Sequence, residues 1–154
     1  MTPHGLEPYI KGHPFFEGLS DDYISLIAGC AKNVVFEPDE VVFRLGDKAD
    51  EFYLIRNGHM TVEVYGQGGD PVTIQTVDDG DVLGWSWLFP PYKWQFDARA
   101  LTVTRALALD GECLRGKCEG DHDLGYELMK RFSALITERL TATRIQLLDL
   151  YGNP

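Results

Sequence analysis

The residues best suited to bind a ligand fall in one segment, residues 84–100. The segment opens on a glycine, holds all three tryptophans of the chain within ten positions, and carries a lysine and an arginine. Backbone N–H groups that converge at a glycine-led turn can hold an anion, and aromatic rings with a few polar groups can line a pocket for a flat or apolar ligand. The candidate ligand-binding residues are Gly84, Trp85, Ser86, Trp87, Leu88, Lys93, Trp94, Gln95 and Arg99.

The aromatic residues of this segment allow two interpretations. Each ring can bury roughly 150–250 Å², so the rings can form a plug that fills a pocket and locks the loop carrying them. Alternatively, they line a pocket for a flat or apolar ligand. The residues concerned are Trp85, Trp87, Phe89, Tyr92, Trp94 and Phe96.

No arrangement of residues predicts catalysis. A metal site of the cupin type needs two histidines one residue apart on a strand, whereas the histidines here are scattered and are expected on the surface. A Gly-x-Ser-x-Gly elbow, a P-loop and a Cys-x-x-Cys pair are also missing from the sequence. The histidines are His4, His13, His59 and His122. We expect a protein that is not an enzyme, and bound metal would support the cupin alternative.

The cysteines are predicted to be unpaired. Cys30, Cys113 and Cys118 are odd in number and widely spaced, in a chain long enough to bury a core without disulfides. We expect inert, partly buried thiols.

Composition and charge limit the fold and the partners. With 154 residues, 44% of them hydrophobic and 25% charged, residues 1–154 are expected to form one soluble globular domain. The net charge of −10, with no cluster of basic residues, disfavours nucleic acid and anionic membranes as partners. The sequence contains no basic–apolar leader and no apolar run of about 18 residues, so a cytoplasmic protein is expected.

Helical regions flank a region of strands. Residues 14–32 are predicted to form an N-terminal amphipathic helix capped by Ser20. Between residues 34 and 109, about eight runs rich in β-branched and aromatic residues alternate with turn residues, which indicates an antiparallel β-roll resembling a double-sheet jelly roll. The predicted fold class is mainly β with flanking α-helices.

Two finer predictions concern the strands. Asn57-Gly58 stands between two strand-like runs and predicts a two-residue turn, hence a hairpin over residues 53–64. Asp97 and Arg99 lie two residues apart on a predicted strand and so share a face. They form either a buried salt bridge with each other, which we expect, or a polar anchor in a site.

Residues 111–151 are predicted to form long C-terminal helices. Apolar residues recur there at three, four or seven positions, and this length of amphipathic helix exceeds what one small roll needs for cover. Leu147-Leu148 and Leu150-Tyr151 extend the apolar stripe to the end. We therefore expect a homodimer formed through the C-terminal helix.

The order of the turn and strand motifs carries a resemblance. Residues 36–58 read FEPDEVVFRLGDKADEFYLIRNG, which gives a strand, a Gly-Asp turn, a strand and a glycine turn. Residues 79–84, DGDVLG, lead into the tryptophan-rich segment, and residues 98–102, ARALT, leave it. Over about residues 14–148 the chain resembles the cyclic nucleotide-binding domain of bacterial catabolite activators and redox regulators and of cyclic-nucleotide-gated kinases and channels.

The resemblance implies that residues 84–100 form the family's phosphate-binding cassette. In that family a Glu accepts the ribose hydroxyl, an Arg neutralises the cyclic phosphate, and backbone N–H groups complete the cradle. Here Trp85 stands at the Glu position and Trp94 near the Arg position. We therefore expect a regulatory or sensor module with weak or absent binding of cAMP and cGMP. The alternatives are a divergent nucleotide binder that uses backbone N–H groups with Lys93 or Arg99, and a sensor for a different small ligand.

The resemblance also implies how a signal would leave the module. In the family, the cassette and the long helix move relative to each other when ligand arrives, and the helix passes the shift to an effector domain. No helix-turn-helix segment follows residue 151, so we expect output through dimerisation or through a separate effector protein. Haem sensing, found in the broader family, needs an axial His or Cys that the cassette lacks.

Overall fold

Short helices precede the sheets. The computed structural model describes residues 5–65 and 68–152. The N-terminal elements are α1 (Glu7–Lys11), a 3₁₀ helix (Pro14–Phe16) and α2 (Asp21–Ala28). Ser20 caps α2 as predicted, because its Oγ accepts a hydrogen bond from the Tyr23 N–H at 3.3 Å. The prediction of one helix over residues 14–32 is wrong in extent, since Gly18, at a φ of +86°, lies between the 3₁₀ helix and α2.

Eight strands form two four-stranded sheets, and every recorded pairing is antiparallel. The strands are β1 (Ala31–Phe36), β2 (Val41–Phe43), β3 (Glu51–Asn57), β4 (Met60–Tyr65), β5 (Pro71–Val77), β6 (Val82–Leu83), β7 (Asp97–Ala100) and β8 (Thr104–Asp110). One sheet has the order β1-β8-β3-β6 and the other β2-β7-β4-β5. This arrangement confirms the predicted β-roll.

The predicted hairpin over residues 53–64 is wrong. Strands β3 and β4 are consecutive in the chain but belong to different sheets, so the Asn57-Gly58 turn carries the chain from one sheet to the other. Gly58 has a φ of +125°, and a Cβ added there would lie 2.6 Å from the Thr104 Cα. The glycine is needed for close backbone approach at this crossing. β4 pairs instead with β5 and β7.

The roll has a core on each side of β3, because successive side chains of a strand point to opposite faces. Phe52 and Leu54 belong to the helical core, which lies between the β1-β8-β3-β6 sheet and the helices. Tyr53 and Ile55 belong to the roll core, which lies between the two sheets. A strand buried on both faces explains why β3 lacks the apolar–polar alternation of a one-faced strand.

Two helices follow the roll, as predicted. They are α3 (Gly111–Gly120) and α4 (His122–Gly152). The Asp110 carboxylate caps α3 by accepting a hydrogen bond from the Cys113 N–H at 3.0 Å. Leu124, Leu128 and Phe132 of α4 are buried in the helical core, whereas residues 141–151 are exposed. Among the described residues, no helix combines the length and the apolar content needed to cross a membrane.

The prediction that all cysteines are free thiols is wrong. Cys30 and Cys113 form a disulfide with their Cα atoms 5.7 Å apart, and only Cys118 is free. The two cysteines are 83 residues apart in the chain, but pairing of β1 with β8 brings Ala31 opposite Leu109. The residues that flank these strands therefore meet, and the Asp110 N–H donates to the Cys30 carbonyl at 2.9 Å.

One histidine contradicts the expectation of surface positions. His13 is 7% exposed, and its Nδ1 accepts a hydrogen bond from the Phe15 N–H at 3.2 Å. His59 and His122 are exposed, as predicted, and His4 lies outside the described residues. Burial lowers the pKa of His13, against the opposing effect of the nearby Asp81 and Ile55 backbone.

Candidate functional site

The tryptophan-rich segment leaves the sheet at β6 and returns to the roll at β7. Gly84 ends the short β6 with a φ of +99°, a conformation that favours glycine. A one-turn 3₁₀ helix follows over Ser86–Leu88. Ser86 is buried, while Trp85 and Leu88 are half-buried against the helical core. The segment is therefore held between the two cores of the roll.

Trp94 fills the space above Gly84. Trp94 is only 3% exposed, and its indole ring stacks on the ring of Phe43 at a centroid distance of 3.7 Å. A Cβ added at Gly84 would lie 2.6 Å from Trp94 Cζ3. The ring thus packs directly on the first residue of the cassette, within the roll core.

Trp87 is buried in the other core. It is fully buried, and its ring centroid lies 4.9 Å from that of Phe52 and 5.4 Å from that of Phe132. The indole Nε1–H finds no hydrogen-bond partner among the described residues. The 3₁₀ turn of the cassette is thereby anchored to β3 and α4 through one side chain.

The aromatic residues do not form one cluster. Trp94 and Phe96 pack in the roll core, whereas Trp87 lies in the helical core with Trp85 packed against it. Phe89 is exposed. Neither the plug nor the pocket interpretation describes the whole set, because the backbone between Trp87 and Trp94 passes from one core to the other.

The two polar candidates next to Trp94 are exposed. Lys93 pairs with Lys48 as an isolated antiparallel bridge, and the Gln95 side-chain amide donates to the Lys93 carbonyl at 3.1 Å. The Trp94 N–H donates to the Asp47 carbonyl at 2.9 Å. These contacts hold the backbone of residues 93–95, which leads into β7, in place.

Arg99 is held by two carboxylates, neither of which is Asp97. Its Nη2 lies 2.8 Å from Glu63 Oε2 and its Nη1 lies 3.0 Å from Asp39 Oδ1. The predicted Asp97–Arg99 salt bridge is therefore wrong. Asp97 Oδ1 instead accepts a hydrogen bond from the Leu45 N–H at 2.7 Å, and Asp97 Oδ2 lies 3.7 Å from Arg44 Nη1.

The Arg99–Glu63 contact shifts the pKa of both groups in the direction that favours their charged forms. The hydrogen bond from Arg99 holds the pKa of Glu63 below its ordinary value, against the opposing effect of burial, and a 3.0 Å hydrogen bond from Thr61 adds to the lowering. The same contact raises the pKa of Arg99. The guanidinium is thus committed to a charge-assisted, bidentate pair.

Arg115 of α3 is a contact of the cassette that sequence reasoning missed. Its Nη1 donates to the Trp87 carbonyl, and its guanidinium lies 4.2 Å from the centre of the Tyr92 ring. One side chain therefore touches both the 3₁₀ turn and the loop that follows it. The sequence offers no signal for this role, since Arg115 reads as a surface residue of an amphipathic helix.

A cavity of about 480 Å³ lies on the helical side of the cassette. Leu88 and Tyr92 form its cassette wall, while Arg115, Glu119 and His122 supply polar side chains from the helices. Its volume falls within the range of about 300–1,000 Å³ that is usual for small-molecule sites. Cys118 lines it too, and burial raises the pKa of this thiol. Residues 5–65 and 68–152 contain no cluster of three or more potential metal ligands.

Comparison with known proteins identifies the family. The family model for the cyclic nucleotide-binding domain matches residues 33–121. The CRP-like cAMP-activated global transcriptional regulator of Mycobacterium tuberculosis is 23% identical over 135 residues, which are 88% of this chain and 58% of that protein. The chain thus spans a little over half the length of that relative.

Solved structures share the fold. A candidate cyclic nucleotide-binding protein from Geobacter metallireducens superposes with a TM-score of 0.75 at 28% identity, covering 91% of this chain and 98% of that one. A mutant regulatory subunit of a cAMP-independent protein kinase A from Trypanosoma brucei, described as bound to cAMP in its A site, gives a TM-score of 0.73 at 18% identity, covering 96% and 51%. Because the family model matches more than half of the chain and the β-roll is shared with solved structures, the chain belongs to the cyclic nucleotide-binding domain family.

Proposed function

We propose that this chain is a non-enzymatic regulatory module whose cassette does not bind cAMP or cGMP tightly. One observation carries the proposal. Trp94, near the position where the family resemblance places the phosphate-binding Arg, packs on Phe43 and covers Gly84. An uncharged indole ring therefore lies against the first residue of the cassette.

The charges near the cassette support the same proposal. Arg99 is engaged by Glu63 and Asp39, and freeing it would leave a buried carboxylate unpaired. Lys93 is exposed, with its backbone fixed by the bridge to Lys48. A missing charge-assisted contact to phosphate is worth about 1.5–3 kcal/mol, which weakens binding roughly ten- to a hundredfold.

Output through dimerisation is part of the proposal. On α4, a second apolar stripe separate from the core-facing one repeats with heptad spacing, and most of its residues are exposed. The stripe consists of Met129, Ile136, Leu140, Leu147 and Leu150. We propose that it forms a helix pair with a second copy of the chain, with a separate effector protein as the alternative route of output.

A sensor for a different small ligand is the second candidate function. The 480 Å³ cavity beside Leu88 and Tyr92 supports it, because its mainly apolar lining includes the Arg115 guanidinium together with one carboxylate, that of Glu119. That chemistry suits a small aromatic acid. Ligand-observed NMR with a panel of aromatic carboxylates tests it, with Arg115→Gln as the variant that should lose binding and neutral aromatic amides as control compounds.

Calorimetric titration with cAMP and cGMP tests the leading proposal. We expect no saturable binding at low micromolar nucleotide by the wild-type chain, and a low micromolar or tighter dissociation constant would refute the proposal. The variant Trp85→Glu/Trp94→Arg restores both charged contacts and should bind at least about tenfold more tightly than the matched uncharged variant Trp85→Gln/Trp94→Met. Equal binding by two folded variants would show that the lost charges are not the cause.

A further inference from the structure

We propose that Cys30–Cys113 is a reversible thiol–disulfide exchange site that takes small uncharged or cationic thiols and that tethers the helix contacting the cassette. The exchange reaction does not depend on which ligand the cassette binds, because it requires only the two cysteines and the cavities that they line. Reduction would loosen α3 and oxidation would fix it.

Cys113 is the more accessible cysteine of the disulfide. Cys30 is 7% exposed, whereas Cys113 is half-buried. Both cysteines line a cavity of about 200 Å³, and Cys113 also lines a neighbouring cavity of about 730 Å³. A small thiol can therefore approach Cys113, and access is a requirement for exchange.

The disulfide and the cassette contact lie on the same helix. Cys113 is joined to Cys30, which lies between α2 and β1, and Arg115, two positions further along α3, contacts the Trp87 carbonyl and the Tyr92 ring. A single rigid turn of helix thus links the N-terminal helices to the cassette. Reduction of the disulfide removes the covalent restraint on that turn of α3.

Other contacts keep α3 in place when the disulfide is open. The Gly111 N–H donates to the Asp50 carbonyl at 2.7 Å, and the Asp110 carboxylate caps the helix. Leu114 is fully buried in the helical core. Reduction should therefore remove one of several restraints on the first turn of α3 and leave the roll folded, as a reversible site requires.

The charges around the cavities decide which thiols enter. Lys32 lies 3.4 Å from Glu51 and Lys48 lies 3.6 Å from Asp50, so each lysine is matched by one carboxylate. Asp110 and Glu112 also line the larger cavity, which leaves it with an excess of negative charge. An attacking thiolate that carries a second negative charge is repelled more strongly than a singly charged or zwitterionic one.

The exchange balances without a cofactor. The thiolate of a dithiol attacks Cys113 Sγ, forms a mixed disulfide with it, and releases Cys30 as a thiolate that takes up a proton. A second thiolate, from the same dithiol or from a second molecule of a monothiol, then attacks the reagent's sulfur in the mixed disulfide and releases Cys113 as a thiolate, which is protonated in turn; a monothiol leaves as its linear disulfide. The protein disulfide gains two electrons and the dithiol becomes a cyclic disulfide.

Alkylation followed by mass spectrometry of the full chain tests the site. Before reduction we expect one alkylated cysteine, Cys118, and after treatment with dithiothreitol three. The Cys118→Ser variant is the control and should give none before reduction and two after it. Alkylation of all three cysteines in oxidised wild-type protein would overturn the proposal.

The choice of thiol tests the electrostatic part. At low salt, and after correction for thiol pKa, we expect reduction rates to fall from cysteamine through mercaptoethanol to mercaptoacetate. High salt should reduce the differences between these rates, because it screens exposed charges. Glu112→Gln should narrow the difference between cysteamine and mercaptoacetate by severalfold, and a rate order independent of thiol charge would contradict the selectivity.

Hydrogen exchange tests the tether. Reduction should speed amide exchange at least severalfold in residues 111–117 and in residues 84–92, while β3 should be unchanged as an internal control. The Cys30→Ser/Cys113→Ser variant should match the reduced wild-type chain in both segments. Unchanged exchange in α3 and in the cassette after confirmed reduction would overturn the coupling.

Discussion

The indole of Trp94 lies parallel to the ring of Phe43, with the ring planes 4° apart and the centroids separated by 3.7 Å. This stack closes the roll core at the point where the cassette begins. It converts a position that the family resemblance assigns to ligand recognition into a packing position.

Truncation of Trp94 should destabilise the fold strongly. Trp94→Ala removes a nearly fully buried ring and leaves a cavity, so we expect a loss of about 3–5 kcal/mol in the free energy of unfolding. Phe89→Ala, at an exposed position of the same loop, should change it by less than about 1 kcal/mol. Urea denaturation followed by circular dichroism measures both, and equal losses would contradict the packing role.

Gly84 should resist substitution for two separable reasons. Gly84→Ala must adopt a φ of +99° and must also overlap the Trp94 ring, whereas Gly46→Ala meets a φ of +91° with no atom within 4 Å of the new Cβ. We expect about 1–2 kcal/mol for the conformation alone at Gly46 and a clearly larger cost at Gly84. In a Trp94→Ala background the excess should shrink, and an excess that persists there would exclude the ring as its source.

Loss of Arg99 should cost more than loss of an exposed cation. Arg99→Met leaves Glu63 buried without its partner, and we expect about 3 kcal/mol, the lower end for a broken buried pair because the Arg99 side chain is 30% exposed. Lys93→Met should change stability by less than about 0.5 kcal/mol. Chemical denaturation of the two variants gives the comparison. A small loss of stability in Arg99→Met would mean that the Glu63 carboxylate becomes hydrated when its partner is removed.

The same pair should make stability depend on acid. The folded-state pKa of Glu63 lies below its ordinary 4.5, so its contribution is complete above that value and is lost as the pH falls from 4.5 through the folded-state pKa. Glu63→Gln should flatten this part of the profile. Denaturation at a series of acidic pH values measures the slope, and an unchanged slope in the variant would assign it to other carboxylates.

His13 should affect the stability of the fold in a higher pH range than Glu63 does. Burial lowers its folded-state pKa below 6.5, so the unfolded chain binds the proton more readily and stability falls as the pH drops below 6.5. His13→Asn keeps a side-chain acceptor for the Phe15 N–H and should remove this slope. His59→Asn, at an exposed histidine, is the control that should retain it. The readout is the urea midpoint at several pH values between about 5.5 and 7.5.

Dimerisation should depend on the exposed heptad stripe of α4. Leu147→Glu places a charge on that stripe and should convert a dimer to a monomer, whereas Arg144→Glu lies outside it and should not. Light scattering during size-exclusion chromatography gives the mass of each variant. A monomeric wild-type chain would direct attention to a separate effector on this stripe.

The periodic features of the fold could be predicted from the sequence, and the partners of strands and side chains could not. Eight strands, the Ser20 cap and the C-terminal helices follow from local residue types. The sequence Asn57-Gly58 marks the end of β3, but local turn chemistry does not show whether the next strand joins the same sheet.

Long-range pairs were missed for the same reason. Cys30 meets Cys113 only because β1 lies against β8, and Arg99 meets Glu63 only because β7 lies against β4. The sequence favours Asp97 as the partner of Arg99, because the two lie on one face of a strand. Strand register, which depends on the whole roll, decided both cases.

The two faces of β3 also bear on how this fold can change over evolutionary time. β6, which ends at Gly84, is hydrogen-bonded to β3, and β3 is locked in place because its alternate side chains fill different cores. At the far end, β7 is paired on both sides. The loop between them is therefore attached at both ends to paired strands, and its exposed residues can change over evolution as long as Trp87 and Trp94, or residues that fill the same space, remain in the two cores.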